Sequence, residues 1–274
     1  MDKVTSINEI QEKIQSIKKR SKGIILTNYY LDIPKHSSWI AKEDFFVWGT
    51  IDCVFFFKKK YSFYYLFFIG LDEKSIQNSF SQCPFKNEKL IIDIIGRADD
   101  GLKKIWEEIG FMQYNSLFRM VRIGIPSFTK IDKHIMQASF EDLIEIKKVL
   151  DKNFDSISEQ IPDIEDLREI LHSGGILVYK IYNSIGGFII YNLSGMTLYL
   201  RYWFVSPEYR NMRIGSKLFN AFLEKGCLTK RQILWVLATN KNAITRYEHY
   251  GFTYENLYDY ILINNYERKN NKHS

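Results

Sequence analysis

Two segments of this chain share one pattern. "KKIWEEIGFMQYNSLFRMVRI" and "AITRYEHYGFTYENLYDYILI" each run from an amphipathic stretch through Gly-Phe into an alternating apolar run, with Gly110-Phe111 aligned on Gly251-Phe252. A buried-strand pattern stands before each, "EKLIIDIIG" and "QILWVLATN". Such self-similarity constrains the fold more than composition does, because it makes the chain two copies of one supersecondary plan. Glycine often ends helices, so the punctuation alone also recurs without duplication. The order of elements around it favours duplication.

A length of 274 residues suits one large domain or two of about 130. The first half opens with "SINEIQEKIQSIKKR", whose isoleucines recur at helical spacing behind Ser6 as N-cap and Glu9 three residues on. Strand patterns follow at "GIILTNYYL", "FFVWGTIDCVFFF" and "YSFYYLFFIG", and a helix at "DEKSIQNSFSQC". "EKLIIDIIG" reads as a strand and "DDGLKKIWEEIGF" as a helix, and "FMQYNSLFRMVRI" closes the half as a strand pair or hairpin. "GIPSFTK", around Pro126, is the best linker. Beyond it come strand "HIMQAS", helices "FEDLIEIKKVLDKNF" and "DIEDLREILHSGG", then strands "GILVYKIYN", "GGFIIYNLSG" and "MTLYLRYWFVS". The expected class is α/β with mixed sheets, divided into domains at 1–126 and 127–268, with 269–274 a disordered tail.

Hydrophobic residues make up 46% and charged residues 26%, the balance of a packed globular protein. Net charge is +6, in short clusters such as "KKRSK" rather than the longer basic stripe usual for a polyanion partner, and it is also compatible with a small ligand carrying a few phosphates. Cys53, Cys83 and Cys227 have no metal-ligand spacing and cannot all pair, which fits a reducing cytoplasm and no metal. The apolar run "CVFFFKKKYSFYYLFFIG" is cut by lysines into pieces too short to span a bilayer, and the N-terminus lacks the apolar core of a signal peptide.

The chemistry concentrates in "VSPEYRNMRIGSKLFNAFLEKG". A strand ends at a proline, a basic turn follows, and an amphipathic helix begins. The first amides of a helix have no internal acceptor, and the aligned peptide dipoles leave partial positive charge there. A loop that exposes them holds a diphosphate with few side chains. Gly215 leaves room for the phosphate to approach the backbone. Ile214, Leu218, Phe222 and Leu223 bury the helix and fix its start.

This stretch, followed by "LWVLATNKNAITRYEHYGF", resembles the GNAT superfamily of acyl-CoA-dependent N-acetyltransferases over roughly residues 128 to 266. The family's phosphate loop, Gln/Arg-x-x-Gly-x-Gly/Ala, is met by Arg210, Asn211, Met212, Arg213, Ile214 and Gly215, with Ser216 following. Its second motif is met at Asn240, Ala243, Tyr247, Gly251 and Phe252. The resemblance implies two GNAT-like domains, each a central twisted, mostly antiparallel sheet flanked by helices. It implies acetyl-CoA as acyl donor and a small-molecule or peptide amine as acceptor, in a monomer or homodimer. Tyr247 would be the proton donor, and backbone amides at Phe204 or Val205 would hold the developing oxyanion. Asn240 would contact the carrier or simply cap its helix.

Two departures from the family pattern stand out. Arg213 occupies the position of the first glycine: helical dihedrals there would tolerate a side chain that reaches a phosphate, whereas backbone pressed on the ligand would make it an obstruction. Strand "LYLRYWFVS" lacks the glutamate base of many relatives; its polar members are Tyr199, Arg201 and Tyr202, and Glu165, Asp166, Glu169 and His172 lie on the earlier helix. The first half lacks the phosphate-loop pattern. Asp72 and Glu73 sit where phosphate would bind, Trp106 replaces the tyrosine and Asp99 the asparagine, as in a degenerate copy. Aminoacyl or longer-chain acyl transfer, or a non-catalytic CoA-binding or regulatory role, are the alternatives.

Overall fold

The computed structural model describes residues 2–98, 101–182 and 184–264. Asp99 and the tail beyond 268 lie outside the described residues. The chain forms two compact units, one of Met1–Ser116 with Leu257–Ser274 and the other of Leu117–Asn256.

The first unit begins with β1 (Asp2–Lys3), α1 (Ile7–Arg20), β2 (Leu26–Thr27) and α2 (Ile33–Ala41). Ser6 caps α1 through the amide of Glu9, while the Glu9 carboxylate reaches back to the amide of Thr5, a capping pattern displaced by one residue. Strands β3 (Phe45–Gly49), β4 (Cys53–Lys60) and β5 (Phe63–Gly70) follow, then α3 (Glu73–Gln82), β6 (Leu90–Gly96), α4 (Gly101–Ile109) and β7 (Phe111–Ile123). "FFVWGTIDCVFFF" is therefore a hairpin rather than one strand, closed where the Thr50 amide donates to Cys53 O at 2.8 Å. β7 is a single continuous strand, not a hairpin. The sequence reading overlooked α2, although Asp32 as N-cap and Pro34 in the first turn announce it.

The second unit takes residues 117–123 of β7, then β8 (Ile135–Gln137), α5 (Asp142–Asn153), α6 (Ile164–His172), β9 (Ile176–Ile181), β10 (Ser184–Ser194) and β11 (Thr197–Val205). After a 3-10 turn at Pro207–Met212 come α7 (Ile214–Lys225), β12 (Arg231–Leu237), α8 (Lys241–His249) and β13 (Thr253–Asn264), whose last residues belong to the first unit.

The strands of both units follow one plan. In the first, β3, β4 and β5 form an antiparallel meander, β5 runs parallel to β6, and β6 pairs antiparallel with β13. In the second, β9, β10 and β11 form the meander, β11 runs parallel to β12, and β12 pairs antiparallel with β7. Gly110 and Gly251 both adopt positive φ, 107° and 82°, one and two residues after their helices. The matching topology decides for duplication where glycine punctuation alone does not. The last strand of each series is drawn from the other half of the sequence, so the compact units do not coincide with a cut at 126.

Each sheet is covered on both faces, which explains its almost unbroken apolar strands. In the first unit α3 and α4 pack Phe80 and Trp106 over Phe55 and Phe68, and α1 and α2 cover Val54, Phe56 and Ile69. In the second, α7 and α8 bury Ile214, Leu218, Phe222 and Ile244 on one face, and α5 and α6 bury Ile146, Leu150 and Leu167 on the other.

Candidate functional site

The site forms where β11 loses a neighbour. β11 pairs with β12 only from Thr197–Leu200 against Arg231–Leu234, so the parallel strands part beyond that point. A bulge coincides with the parting: Tyr191 faces Leu200 and Ile190 faces Tyr202, leaving Arg201 as the extra residue. The bulge switches faces. Leu198, Leu200, Trp203 and Val205 pack with the α7 cluster, while Tyr202 and Phe204 pack with the α5–α6 cluster. The Ser206 amide donates to Gly186 O at 3.0 Å. Alternation along an antiparallel pair then directs the Phe204 amide to β10 and the Val205 amide into the opening. Of the two oxyanion candidates, Val205 has the useful direction.

The start of α7 closes one side of this opening. Lys217 is the first α7 residue whose amide has an acceptor, Arg213 O at 3.1 Å. The amides of Ile214, Gly215 and Ser216 have no acceptor among the described residues, and no side chain caps the helix. Arg213 itself is left-handed, with φ 57° and ψ 21°, so the helical dihedrals that would have made a side chain easy are not adopted. The backbone keeps the geometry glycine would supply, with an exposed arginine built on it.

Gly215 serves a different purpose from the one read in the sequence. A Cβ there would meet Trp203 Cζ2 at 3.2 Å and Val205 Cγ2 at 3.5 Å. The missing side chain lets α7 lie close on β11.

These elements line a cleft of about 870 Å³ that gathers Trp203, Phe204, Val205, Arg210, Arg213, Gly215, Ser216, Asn240 and Ala243. Arg246 and His249 join them from α8, and no carboxylate lines it, which suits a polyanion. Asn240 caps α8, accepting from the Ala243 amide at 3.1 Å. Ile214 contributes only its amide, because its side chain is fully buried in the core. Asn211 and Met212 are exposed and lie outside the cleft lining. Trp203 was not anticipated, yet its indole Nε1 is buried with no hydrogen-bond partner among the described residues, beneath the start of α7. Unpartnered buried donors are uncommon and point to an absent acceptor.

Tyr247 is half-buried on α8, 5.9 Å from the Trp203 ring and 6.0 Å from Phe252. It lines a smaller chamber of about 70 Å³ with Trp203, Val205, Ala243 and Arg246. Burial pushes the Tyr247 phenol up from its usual range; Arg246 opposes the shift, and the charge of Glu159 adds to it.

Two of the three carboxylates on α6 are otherwise engaged, and Glu169 is exposed. Asp166 closes the α6 capping box with Asp163, and Glu165 pairs with Arg168 at 2.7 Å. His172 faces solvent, its Nδ1 2.7 Å from Arg168 O. Glu159, in the loop between α5 and α6, escaped the sequence reading. Burial raises its carboxyl above the usual range, and the Tyr202 hydroxyl donates to its backbone oxygen at 2.6 Å. Nothing in the loop's polar composition marked it.

The first unit shows the same opening filled by its own chain. β5 and β6 pair only at Tyr64–Tyr65 with Leu90–Ile91. Beyond, β2 adds to β5, and Asn28 donates from Nδ2 to Leu66 O and Asp93 O and accepts the Phe68 amide. Asp72 caps α3 through the Ser75 amide at 2.8 Å, and Trp106 is fully buried. Both features of the open site are thus taken by protein groups.

A mixed sheet parted at its parallel pair, with an uncapped helix start beside the gap, is the architecture of a GNAT fold. Residues 140–252, within the second unit, match the family model described as acetyltransferase (GNAT) family. A tandem GNAT protein from the clavulanic acid biosynthesis pathway shares the fold with a TM-score of 0.60 at 9% identity, covering 95% of this chain and 96% of its own. A GNAT-family acetyltransferase from Colwellia psychrerythraea gives 0.56 at 14% identity over 95% and 97% of the two chains. A Drosophila protein gives 0.60 at 14% over 96% and 98%. No curated protein matches in sequence.

Proposed function

We propose that the second unit is an N-acetyltransferase that moves an acetyl group from acetyl-CoA to a primary amine of a small molecule or peptide. The observation that carries this reading is the conjunction of the free amides at 214–216 with the unpaired edge of β11 in one carboxylate-free cleft. The carrier supplies an acyl thioester. Arg210, Arg213 and the α7 amides hold its diphosphate, and the Val205 amide donates to the carbonyl oxygen as charge develops there. The neutral amine attacks the carbonyl carbon directly, the C–N bond forms, the C–S bond breaks, and Tyr247 gives its proton to the departing sulfur. The amine's own proton passes to water. A phenol raised by burial stays protonated through neutral and mildly alkaline pH, so the rate rises as the amine deprotonates and does not fall when pH reaches ~10.

CoA-thiol release with an amine panel tests the reading, together with Tyr247→Phe. The variant is expected to lose about 100-fold in kcat with acetyl-CoA affinity unchanged; an unaltered kcat removes Tyr247 from the mechanism. The missing carboxylate on β11 favours one second reading, a CoA-binding regulatory protein. Carrier binding without thiol release would select it. The unpaired thiols suit a cytoplasmic protein, and the internal duplication makes a working monomer sufficient.

A further inference from the structure

The bulge in β11 also decides where two charges stand. Arg201, its extra residue, is the first on the strand beyond the pairing with β12. Its guanidinium lies over the rings of Tyr199 and Tyr202, at 5.5 Å and 5.9 Å. Tyr202 packs with the α5–α6 cluster, on the opposite side of the sheet from α7 and its free amides. The Tyr202 hydroxyl donates to Glu159 O at 2.6 Å and to Gln160 O at 3.1 Å, which ties the loop between α5 and α6 to the parted strand. The Asp155 amide donates to Glu159 Oε2 at 2.8 Å and fixes the carboxylate. The charges of Arg201 and Glu159 both act on the Tyr202 phenol, and that of Glu159 also reaches Tyr247. Arg201 and Glu159 are each half-buried, and among the described residues neither has an ion-pair partner. A half-buried charge without a counter-charge is costly. Two opposite charges held beside one tyrosine, yet not paired with one another, suit a ligand that carries both.

We propose that Arg201 and Glu159 select the acceptor, and that it is a free amino acid: Arg201 takes its carboxylate while Glu159 draws its ammonium end toward Tyr247. The inference rests on the transferase reading above and deepens it by naming the acceptor class. A guanidinium presents a planar fork of donors that matches a carboxylate through two parallel hydrogen bonds. Stacking on Tyr199 and Tyr202 orders that fork before the ligand arrives. Burial raises the Glu159 carboxyl, the nearby charge of Asp155 adds to the shift, and a cation beside it offsets both. A simple alkylamine meets only half of this arrangement and leaves the guanidinium without a counter-charge.

The test follows CoA-thiol release from acetyl-CoA by the full chain with matched amines. Glycine, alanine and phenylalanine are set against glycinamide, ethylamine and phenethylamine, which keep the amine and lose the carboxylate. The amino acids are expected to exceed their counterparts at least ~10-fold in kcat/KM. Arg201→Met, which keeps an apolar stem over the tyrosines, is expected to cut kcat/KM for the amino acids at least ~10-fold, mostly through KM. Arg201→Lys restores part of the loss as a point charge. Glu159→Gln still accepts the Asp155 amide but lacks the charge, so it should raise KM for amino acids and counterparts alike; an unaltered KM removes Glu159 from the site. Calorimetric titration with free CoA reports whether each variant is folded. Counterparts used as well as amino acids by the parent chain overturn the acceptor assignment and leave the transferase reading standing. An Arg201→Met variant that binds free CoA and keeps the parent's preference does the same. No thiol release with any amine overturns both.

Discussion

Arg213 has a left-handed backbone, φ 57° and ψ 21°, at the head of α7. For a residue with a Cβ that conformation costs about 1–2 kcal/mol, and glycine relieves it. The arginine lines the cleft with Arg210 and Arg246, so its guanidinium is placed to recover that cost when a diphosphate binds. Arg213→Gly is expected to raise stability by about 1 kcal/mol in thermal or urea unfolding and to weaken CoA binding several-fold. A variant that binds CoA as tightly as the parent would reduce Arg213 to a tolerated side chain. Arg210, Gly215, Asn240 and Tyr247 stand in motif order along the sequence, and the fold gathers the first three around one cleft and Tyr247 beside it. What the Gly215 α-carbon faces was not legible, because Trp203 reaches it only through the bulge in a strand distant in sequence.

At the scale of elements, α7 has to be rigid for its free amides to be useful. Its apolar stripe does most of this, and Lys217 adds a clamp, bonding Asp132 at 2.9 Å and the Tyr179 hydroxyl at 3.3 Å. The His134 amide and Lys217 together hold the Asp132 carboxyl well below its usual range. A depressed carboxylate stabilises above its unfolded pKa, and the contribution is lost as pH falls below about 4. Exposed pairs contribute at most about 1 kcal/mol, so Lys217→Met is expected to raise KM for acetyl-CoA by about two- to fivefold with kcat nearly unchanged. An equal fall in kcat would show that Lys217 acts on the chemistry rather than on the helix. Periodicity revealed α7 and α8 with their faces. It did not reveal α2, whose cap and proline stood in a segment with weak apolar spacing, nor the hairpin turn inside "FFVWGTIDCVFFF".

For the molecule as a whole, the duplication leaves one open slot and one filled slot. In the first unit Asn28 and β2 supply the backbone partners that a ligand would have to supply in the second. That unit also holds a destabilising group. Asp259 on β13 is buried, its Oδ1 has no partner among the described residues, and burial followed by the charge of Asp93 raises its carboxyl well above the usual value. A raised carboxyl stabilises below the unfolded pKa near ~4, and stability falls as pH rises from there toward the folded value. Asp259→Asn is therefore expected to add at least ~1 kcal/mol at pH 7, a gain that vanishes toward pH 4 in parallel melts. A constant difference across that range would rule out ionisation as the cause.

The sequence by itself determined the two-copy plan, the element order of the second half and the motif residues, because all of these are local: periodicity, caps and spacing are written along the chain. Tertiary structure alone decided which copy keeps an open slot beside its parted strands. The exchange of last strands between halves, the parting of β11 from β12, Asn28 in the first slot and Trp203 beneath the second all depend on contacts between distant segments. A strand's hydrogen-bonding edge is identical in sequence whether a neighbour fills it or not; only the folded chain says which.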